Sequence, residues 1–232
     1  MTIHKNKRFY EAILFDLDGV LADTQHWVIS AYQYTAEMHK LTLAVADLAA
    51  LFGQPLHACY QNLWDNADVD LLVGTHRSYQ KQNMHLVTIF DGVHTLLATL
   101  RSAGLPLAIV TGRTQASAQD TLDRLRLTDY FDAVITADNT DRHKPHPEPV
   151  LCALAKIKMQ PELALMVGDA QSDILAGQRA GCDTAGALYG FSGVELQSFQ
   201  PTYVLNQPLD LLTVLKDPWI SKSVLKSSNF SL

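Results

Sequence analysis

Short apolar runs alternate with amphipathic segments along most of the chain, and this alternation is the main indication of its fold. A short apolar run is typical of a strand buried on both faces, as in a parallel sheet. The runs that predict strands are Ile13 to Phe15, Leu107 to Val110, Ala133 to Ile135 and Leu163 to Val167, with Thr184 to Ala187 and Tyr203 to Leu205 as short edge strands.

Helices are predicted between these strands, because apolar residues recur there at helical spacing. Gly104 and Gly181 stand where glycine commonly follows the end of a helix, and Pro147 stands in the first turn of another helix. Such alternation predicts βαβ units and an α/β fold with a parallel sheet. The predicted helices run from near Val93 to Ala103, from Ser117 to Leu127, from Pro147 to Ile157 and from Gln171 to Ala180.

The region from Gln25 to Ile89 breaks this alternation and contains predicted helices only. A helical block inserted after the first strand cannot join the sheet, so we expect a separate cap over the core. The expected division is a core domain of residues 1–22 and 90–232 with a cap domain of residues 23–89. The predicted cap helices are Trp27 to His39, Val45 to Phe52, His57 to Trp64 and Val69 to Lys81.

Composition narrows the classes of function. The formal net charge is −6 at pH 7 and no extended basic block is present, which disfavours nucleic-acid binding. No apolar run is long enough to cross a bilayer or to act as a signal peptide. The three cysteines, Cys59, Cys152 and Cys182, are widely spaced and fit reduced thiols in the cytoplasm better than a disulfide framework.

Polar side chains follow the predicted strands at the points where the strands end. Asp16 and Asp18 follow the first strand, and Thr111 follows the strand at Leu107. Lys144 precedes the helix that begins near Pro147, while Asp169 and Asp173 follow the strand at Leu163. The carboxyl ends of parallel strands lie at one edge of the sheet, where ligands bind, so these groups can converge on one site.

This set of four carboxylates, one hydroxyl and one ammonium suits phosphoryl transfer. One carboxylate can act as a nucleophile and form an aspartyl phosphate, and another can act as general acid and then as base. A lysine and a hydroxyl can neutralise charge on the phosphoryl oxygens. Four carboxylates facing one lysine repel each other unless a cation is bound, and Mg²⁺ prefers such oxygen ligands.

At this point the chain resembles a known family, the haloacid dehalogenase superfamily in its phosphatase branch with a helical cap. The resemblance extends from about Ala12 to Ala187 and includes four motifs in order. It implies a Rossmann-like three-layer core with an inserted all-helical cap domain. The motifs are Asp16-Leu17-Asp18-Gly19-Val20-Leu21, Val110-Thr111-Gly112, Lys144-Pro145-His146-Pro147-Glu148-Pro149 and Gly168-Asp169-Ala170-Gln171-Ser172-Asp173.

The resemblance implies a catalytic role for four residues. Asp16 would be the nucleophile and a metal ligand. Asp18 would be the general acid and base, with its backbone carbonyl on the metal. Thr111 would bind the transferring phosphoryl group, and Lys144 would stabilise the aspartyl phosphate. Dehalogenases of the family lack the second aspartate of the first motif, so the presence of Asp18 favours phosphate chemistry.

The resemblance also implies a metal site and further phosphate donors. Asp169 would bind Mg²⁺ directly, and Asp173 would support the ion directly or through water. The backbone N–H groups of Leu17 and Gly112 would bind phosphoryl oxygens.

Several residues near these motifs allow two interpretations. Asp23 and Thr24 fit a hinge or a helix cap better than a catalytic role. Arg113 fits either contact with a second anionic group on the substrate or an exposed position at a helix start. Gly53 and Gln54 fit either a loop that reaches the substrate or a plain turn before Pro55. No diagnostic polar cluster is evident in the cap sequence.

The leading function is a Mg²⁺-dependent, cytoplasmic phosphatase, monomeric or homodimeric, that hydrolyses a small phosphorylated metabolite. Within the branch, the chain looks most like phosphoglycolate phosphatases and related pyrophosphatases. The alternative is a phosphomutase of the β-phosphoglucomutase type, but Val28 stands where those enzymes typically carry a histidine. A non-catalytic binding protein on the same fold is a third hypothesis, disfavoured because no motif residue is missing.

Overall fold

The computed structural model describes residues 9–44 and 55–215 of the chain. Its centre is a six-stranded sheet in which every neighbouring pair of strands is parallel. The strand order across the sheet is β5-β4-β1-β6-β7-β8. These strands are β1 Ala12–Phe15, β4 Leu107–Val110, β5 Ala133–Ile135, β6 Ala164–Gly168, β7 Asp183–Ala187 and β8 Tyr203–Leu205.

Helices cover both faces of the sheet, which explains why its central strands are almost continuously apolar. Five helices of the described residues flank it: α4 Val93–Ser102, α5 Gln115–Arg124, α6 Glu148–Ile157, α7 Gln171–Ala180 and α8 Asp210–Val214. One core packs Ile13 and Phe15 with α4 and α5, and the other packs Leu14 and Met166 with α6 and α7. The predicted three-layer α/β fold is confirmed.

The predicted strands and helices of the core are confirmed, with end points shifted by three residues or fewer. Gly104 and Gly181 follow α4 and α7 with left-handed φ angles of 77° and 90°, as expected for glycines that end helices. One expectation was wrong. The strand beginning near Thr184, β7, is not an edge strand, because it lies between β6 and β8.

The insertion after β1 contains helices that do not join the sheet. They are α1 Gln25–Met38, α2 Leu56–Leu63 and α3 Val69–Gln82, and they pack around Tyr32, Tyr60, Leu72 and Val73. The predicted helix Val45 to Phe52 and the turn at Gly53 and Gln54 lie outside the described residues. Every helix of the described residues is too short or too polar to span a membrane.

The expectation that residues 25–89 contain helices only was also wrong. A short strand, β3 Thr88–Ile89, pairs antiparallel with β2 Ala22–Asp23. The two chain segments that connect the sheet to the insertion therefore run side by side. Their pairing is a tertiary contact between positions more than sixty residues apart, and two-residue strands carry no periodicity that a sequence can reveal.

Candidate active site

The carboxyl edge of the sheet gathers the polar groups that follow the strands. Asp16 follows β1, Thr111 follows β4 and Asp169 follows β6. The backbone extends the sheet here, because Asp16 N–H donates to Val167 O (2.9 Å) and Thr111 N–H donates to Ile135 O (2.9 Å). All three side chains are buried, so their positions are set by the sheet.

Lys144 lies at the centre of this group. Its ammonium donates to Asp16 Oδ1 at 2.8 Å and to Val110 O at 2.9 Å, and lies 2.6 Å from Asp173 Oδ1. Burial lowers the pKa of Lys144, but Asp16 and Asp173 outweigh that effect and raise it overall. The ammonium therefore stays charged at neutral pH, where it can neutralise one of the nearby carboxylates.

Three carboxylates meet beside this lysine. Oxygens of Asp16, Asp169 and Asp173 all lie within 4.8 Å of one another. Burial, assisted by the like charges nearby, raises the pKa of Asp16 to about 7 and raises the pKa of Asp169 well above its usual range. A divalent cation with a preference for oxygen ligands would relieve this repulsion, so the residues present fit Mg²⁺ chemically.

Asp173 is held by the start of α7. Its Oδ2 accepts a hydrogen bond from Ala170 N–H at 3.0 Å. Ala170 is the N-cap residue of α7, and a side chain in the first turn of a helix commonly accepts a hydrogen bond from the N–H of that residue. Gly168 lies directly beneath it, and a Cβ at that position would lie 2.1 Å from the Asp173 Cβ. The carboxylate is therefore oriented by the local backbone.

Asp169 is oriented by the loop at Phe191, a contact that the motifs do not indicate. Phe191 N–H donates to Asp169 Oδ2 at 2.7 Å. Gly190 makes this approach possible, because a Cβ there would lie 2.4 Å from both the Asp169 Cβ and the Gly19 carbonyl oxygen. The only sequence signal was a glycine between two aromatic residues, Tyr189 and Phe191, shortly after a strand.

Asp18 lies apart from the three-carboxylate cluster and is bound by other groups. Its Oδ2 accepts from Arg113 Nε at 2.7 Å, and its Oδ1 accepts from Arg113 Nη2 at 2.6 Å and from Thr24 Oγ1 at 2.5 Å. Burial raises the pKa of Asp18, but Arg113 and Thr24 outweigh burial and lower it overall. This carboxylate is therefore ionised at neutral pH.

Two expectations are settled by these contacts. Thr24 precedes α1, but its side chain makes no capping hydrogen bond and binds Asp18 instead. Arg113 is not an exposed helix-start arginine, because only 10% of its side chain is exposed. Its side chain points to Asp18 rather than to bulk solvent, which the position of Arg113 one residue after Gly112 did not reveal.

Arg113 also contacts the insertion. Its guanidinium lies 4.7 Å from the ring centroid of Trp27 on α1, and its Nη1 donates to Thr121 on α5 at 2.6 Å. The Trp27 indole N–H in turn donates to Gln80 O on α3 at 3.0 Å. Arg113 therefore lies where the core and the helical insertion meet, with an aromatic ring of the insertion stacked against it.

A cavity of about 770 Å³ lies over the cluster and is lined from both sides. Asp16, Asp18, Thr111, Gly112 and Asp169 line its core side. The Leu17 side chain is buried in the apolar core. The helical insertion lines the other side with Trp27, Tyr32, His76, Arg77, Gln80 and Lys81. The polar members of this set, His76, Arg77, Gln80 and Lys81, lie within one short stretch of α3. The sequence did not identify them as a cluster, because helical spacing does not tell which face of a helix covers a cavity.

Comparison with known proteins agrees with the fold. A parallel sheet with buried carboxylates and a lysine at its carboxyl edge, beneath a helical insertion, defines an α/β enzyme with a carboxylate-based active site. The chain belongs to the haloacid dehalogenase-like hydrolase family, whose model matches residues 13–187. The resemblance found in the sequence motifs is thereby confirmed.

Individual relatives cover nearly the whole chain. Pyrophosphatase PpaX of Anoxybacillus flavithermus is 35% identical over 206 residues, which are 88% of this chain and 95% of that protein. The structure of a predicted phosphoglycolate phosphatase from Haemophilus somnus has a TM-score of 0.83 at 23% identity over 89% of this chain and 98% of its own, which supports the fold alone. The structure of a candidate β-phosphoglucomutase from Thermotoga maritima has a TM-score of 0.71 at 27% identity. The match covers 89% of this chain and 99% of that chain.

Proposed function

We propose that this protein is a Mg²⁺-dependent phosphatase that hydrolyses a small phosphorylated metabolite through an aspartyl phosphate on Asp16. The observation that carries the proposal is the buried contact of Asp16 with Lys144, beside two further carboxylates at a cavity. A carboxylate held against an ammonium stays available as a nucleophile, and its product carries negative charge that the same ammonium stabilises.

In the first step, a carboxylate oxygen of Asp16 attacks the phosphorus, and the bond to the leaving oxygen breaks. A proton from Asp18 passes to the leaving oxygen. Thr111, Lys144 and the backbone N–H groups of Leu17 and Gly112 bind the phosphoryl oxygens during the transfer. This assignment of roles rests on the matched motifs and on the shared cavity of Asp16, Thr111 and Gly112.

In the second step, Asp18 removes a proton from a water molecule whose oxygen attacks the phosphorus. The bond between Asp16 and phosphorus breaks, inorganic phosphate leaves and Asp18 keeps the proton for the next cycle. The ionised state of Asp18 suits its role as a base. To act as an acid, Asp18 must bind a proton, which removes its negative charge and so weakens its ion pair with Arg113.

The magnesium ion would be held by Asp16, Asp169 and Asp173 together with the backbone carbonyl of Asp18. When bound, it would neutralise negative charge on the phosphoryl group and on the carboxylates. Each of the three carboxylates is held by a different group of the protein. Lys144 compensates Asp16, Phe191 N–H orients Asp169 and Ala170 N–H orients Asp173.

The proposed substrates are of the pyrophosphate or phosphoglycolate type. The support is the similarity to proteins named pyrophosphatase PpaX, which extends over 88% of this chain. The cap supports this assignment because it carries cationic side chains at the cavity, where a small anionic substrate would bind.

A phosphomutase is the second candidate, supported by the structural similarity to the candidate β-phosphoglucomutase. Such an enzyme returns the phosphoryl group to a sugar hydroxyl and needs a group there that handles a proton. Val28 lines the cavity at the position where mutases typically carry a histidine, and its side chain cannot perform this task. Hydrolysis is therefore the preferred proposal.

We propose the domain division already stated, with residues 1–22 and 90–232 as core and residues 23–89 as cap. Its support is the separate apolar cluster of the helical insertion and the antiparallel pairing of β2 with β3 at the junction. We also propose a cytoplasmic location, supported by cysteines that form no disulfide in the described residues.

The test is release of inorganic phosphate from a panel of pyrophosphate, phosphoglycolate, hexose phosphates, nucleotides and p-nitrophenyl phosphate, with Mg²⁺ and with a chelator. We expect Mg²⁺-dependent release, lost in Asp16→Asn and retained in Asp129→Asn, which removes an exposed carboxylate away from the cavity. No release from any compound, with Asp16→Asn equal to wild type, would reject the proposal. Isomerisation of glucose 1-phosphate that exceeds hydrolysis would select the mutase.

A further inference from the structure

Two cations of the core, Arg113 at the cavity and Lys144 beside Asp16, are already paired with carboxylates. The Lys144 ammonium lies 2.8 Å from Asp16 and 2.6 Å from Asp173. The Arg113 guanidinium binds Asp18 through two nitrogens. Neither core cation is therefore freely available to a negative charge on the part of a substrate that lies beyond the transferred phosphoryl group.

Two cations of the cap differ in this respect. Arg77 and Lys81 lie one turn apart on α3, so they share a face of the helix, and both line the cavity. Within residues 9–44 and 55–215, no carboxylate lies close enough to form an ion pair with either of them. Among the described residues, the cap thus presents toward the site positive charge that has no carboxylate partner.

The two histidines of the cap that line the cavity do not supply equivalent positive charge. His76 is buried, and its imidazole contacts the Tyr60 hydroxyl at 2.8 Å. Burial, assisted by the nearby Arg77, lowers the pKa of His76 to about 3, so this side chain is neutral at physiological pH. His57 pairs with Asp70. On the core side, Asp120 and Asp138 line the cavity and are acidic.

The cavity is lined by the core on one side and by the cap on the other, and we call these sides the core end and the cap end. Asp16, Thr111 and Asp169 line the core end, where the transferred phosphoryl group would bind under the proposed function. Arg77 and Lys81 line the cap end together with the apolar side chains of Trp27 and Leu56. A substrate bound to Asp16 through its phosphoryl group shares this cavity with Arg77 and Lys81, so its leaving group has the cap side of the cavity available to it.

We propose that Arg77 and Lys81 form a subsite that selects substrates whose leaving group carries its own negative charge, a phosphate or a carboxylate. This inference rests on the proposed phosphatase function and adds a specificity determinant to it. Both side chains are exposed in the free protein, so they are accessible to an anion, which they bind by charge-assisted hydrogen bonds. Substrates with neutral leaving groups lack this interaction.

The test compares matched substrates in the full-length protein. Phosphoglycolate and ethyl phosphate differ by the carboxylate, and pyrophosphate is compared with acetyl phosphate, also an anhydride, whose acetyl group carries no charge before cleavage. The quantity measured is the ratio of kcat/KM for the anionic member to kcat/KM for the neutral member of each pair. The two pairs distinguish a carboxylate from a phosphate as the selected anion.

We expect the double variant Arg77→Gln/Lys81→Gln to lower this ratio by about tenfold or more for at least one pair, because two charge-assisted hydrogen bonds are lost. The variant Arg77→Lys/Lys81→Arg keeps both charges and should retain most of the selectivity. Arg124→Gln/Lys156→Gln is the matched control, since it removes the same charge from exposed positions away from the cavity and should leave the ratio unchanged.

Two results would overturn the subsite. One is an unchanged ratio in Arg77→Gln/Lys81→Gln, and the other is a wild-type preference for the neutral member of both pairs. Thermal unfolding of each variant identifies a folding defect, and inhibition by free glycolate gives a second measure of the subsite that needs no turnover. Absence of phosphate release from every compound, neutral ones included, would instead reject the phosphatase function itself.

Discussion

Arg113 binds both carboxylate oxygens of Asp18, through Nε at 2.7 Å and Nη2 at 2.6 Å. This two-point ion pair joins the residue after the second motif to the second aspartate of the first motif, 95 positions away. Trp27 stacks on the same guanidinium from the cap. Arg113 and Thr24 together orient Asp18, and Arg113 is itself held by Thr121 of the core and by Trp27 of the helical insertion.

Replacing Arg113 should impair turnover more than substrate binding. Lysine cannot form the planar two-point contact or the stacked contact with Trp27, so both Arg113→Lys and Arg113→Gln leave Asp18 less well oriented. We expect kcat to fall by roughly tenfold to a hundredfold, since misplacing a catalytic group carries a penalty of that order. Steady-state kinetics on the best substrate of the panel measures the effect.

The control for this prediction is Arg101→Lys. Arg101 contacts Asp132 at 2.6 Å, but both side chains are 39% exposed, so the pair contributes little. Its replacement should leave kcat within about twofold of wild type. Equal loss of activity in both lysine variants would contradict the assigned role of Arg113.

Mg²⁺ should stabilise the folded protein. Asp16, Asp169 and Asp173 repel one another in the absence of a cation, and an ion that binds only the native state raises stability by mass action. At a hundredfold excess over its dissociation constant the gain is about 2.7 kcal/mol. Thermal unfolding with increasing Mg²⁺ should show a rising midpoint in wild type and in Asp129→Asn.

Asp169→Asn should abolish most of this response, because it removes one of the three clustered carboxylates. The variant should also be no less stable than wild type without metal, since it removes a buried negative charge beside two others. A midpoint that rises equally in Asp169→Asn would place the ion elsewhere.

His76 should make the protein sensitive to acid. Its pKa is lowered to about 3 by burial and by Arg77, from an ordinary value near 6.5. Between these values the unfolded chain binds a proton that the folded protein does not, so stability falls as the pH falls, by about 1.4 kcal/mol per unit. Above pH 6.5 both states are neutral and the effect vanishes.

Urea unfolding at pH 7 and pH 5 measures this dependence. Between pH 7 and pH 5, we expect the free energy of unfolding of His76→Gln to fall by about 2 kcal/mol less than that of wild type. This difference does not depend on the stability of the variant at pH 7. The same substitution at the exposed His85 should keep the wild-type dependence. An identical pH dependence in wild type and His76→Gln would show that His76 is protonated in the folded protein.

Gly190 should not tolerate a side chain. A Cβ there would lie 2.4 Å from both Asp169 Cβ and the Gly19 carbonyl oxygen, so Gly190→Ala must displace the Asp169 loop. We expect a loss of about 1–3 kcal/mol in stability, together with a large loss of activity. Chemical unfolding and phosphate release measure the two effects.

Gly74→Ala is the matched control. Gly74 lies on α3, and a Cβ there would meet no atom within 4 Å. Because alanine favours the helix over glycine, this variant should gain about 0.5–1 kcal/mol in stability and keep its activity. If Gly190→Ala behaves like Gly74→Ala, the close packing around Asp169 plays no part in function.

Much of the fold was predictable because its signals are local. β4, β5 and β8 have the predicted end points, and Gln171–Ala180 forms the predicted helix with Gly181 after it. Apolar runs and helix-ending glycines depend on neighbouring residues only. β7 was misplaced at an edge, since a short strand's position in a sheet depends on which strands pair with it.

The candidate site was predictable to a similar extent and for a similar reason. Asp16, Thr111, Lys144, Asp169 and Asp173 follow strands or precede helices, so motif position was sufficient to place them at one edge. Thr24 and Arg113 were left open, because a hydroxyl or a guanidinium near a motif can face solvent or the site. Gly190 was not identified from the sequence, because it matters only for the close approach of its loop to Asp169 and Gly19, which are distant in sequence.

The sequence by itself determined the alternation of strands and helices, the carboxylates at the strand ends and hence the family and its chemistry. Tertiary structure alone decided that Arg113 binds Asp18, that Phe191 N–H orients Asp169 and that Arg77 and Lys81 face the cavity. The physical reason is the distance along the chain over which each kind of signal acts. Hydrophobic periodicity and motif spacing act along the chain, whereas ion pairs and a shared cavity depend on how separate elements pack in three dimensions.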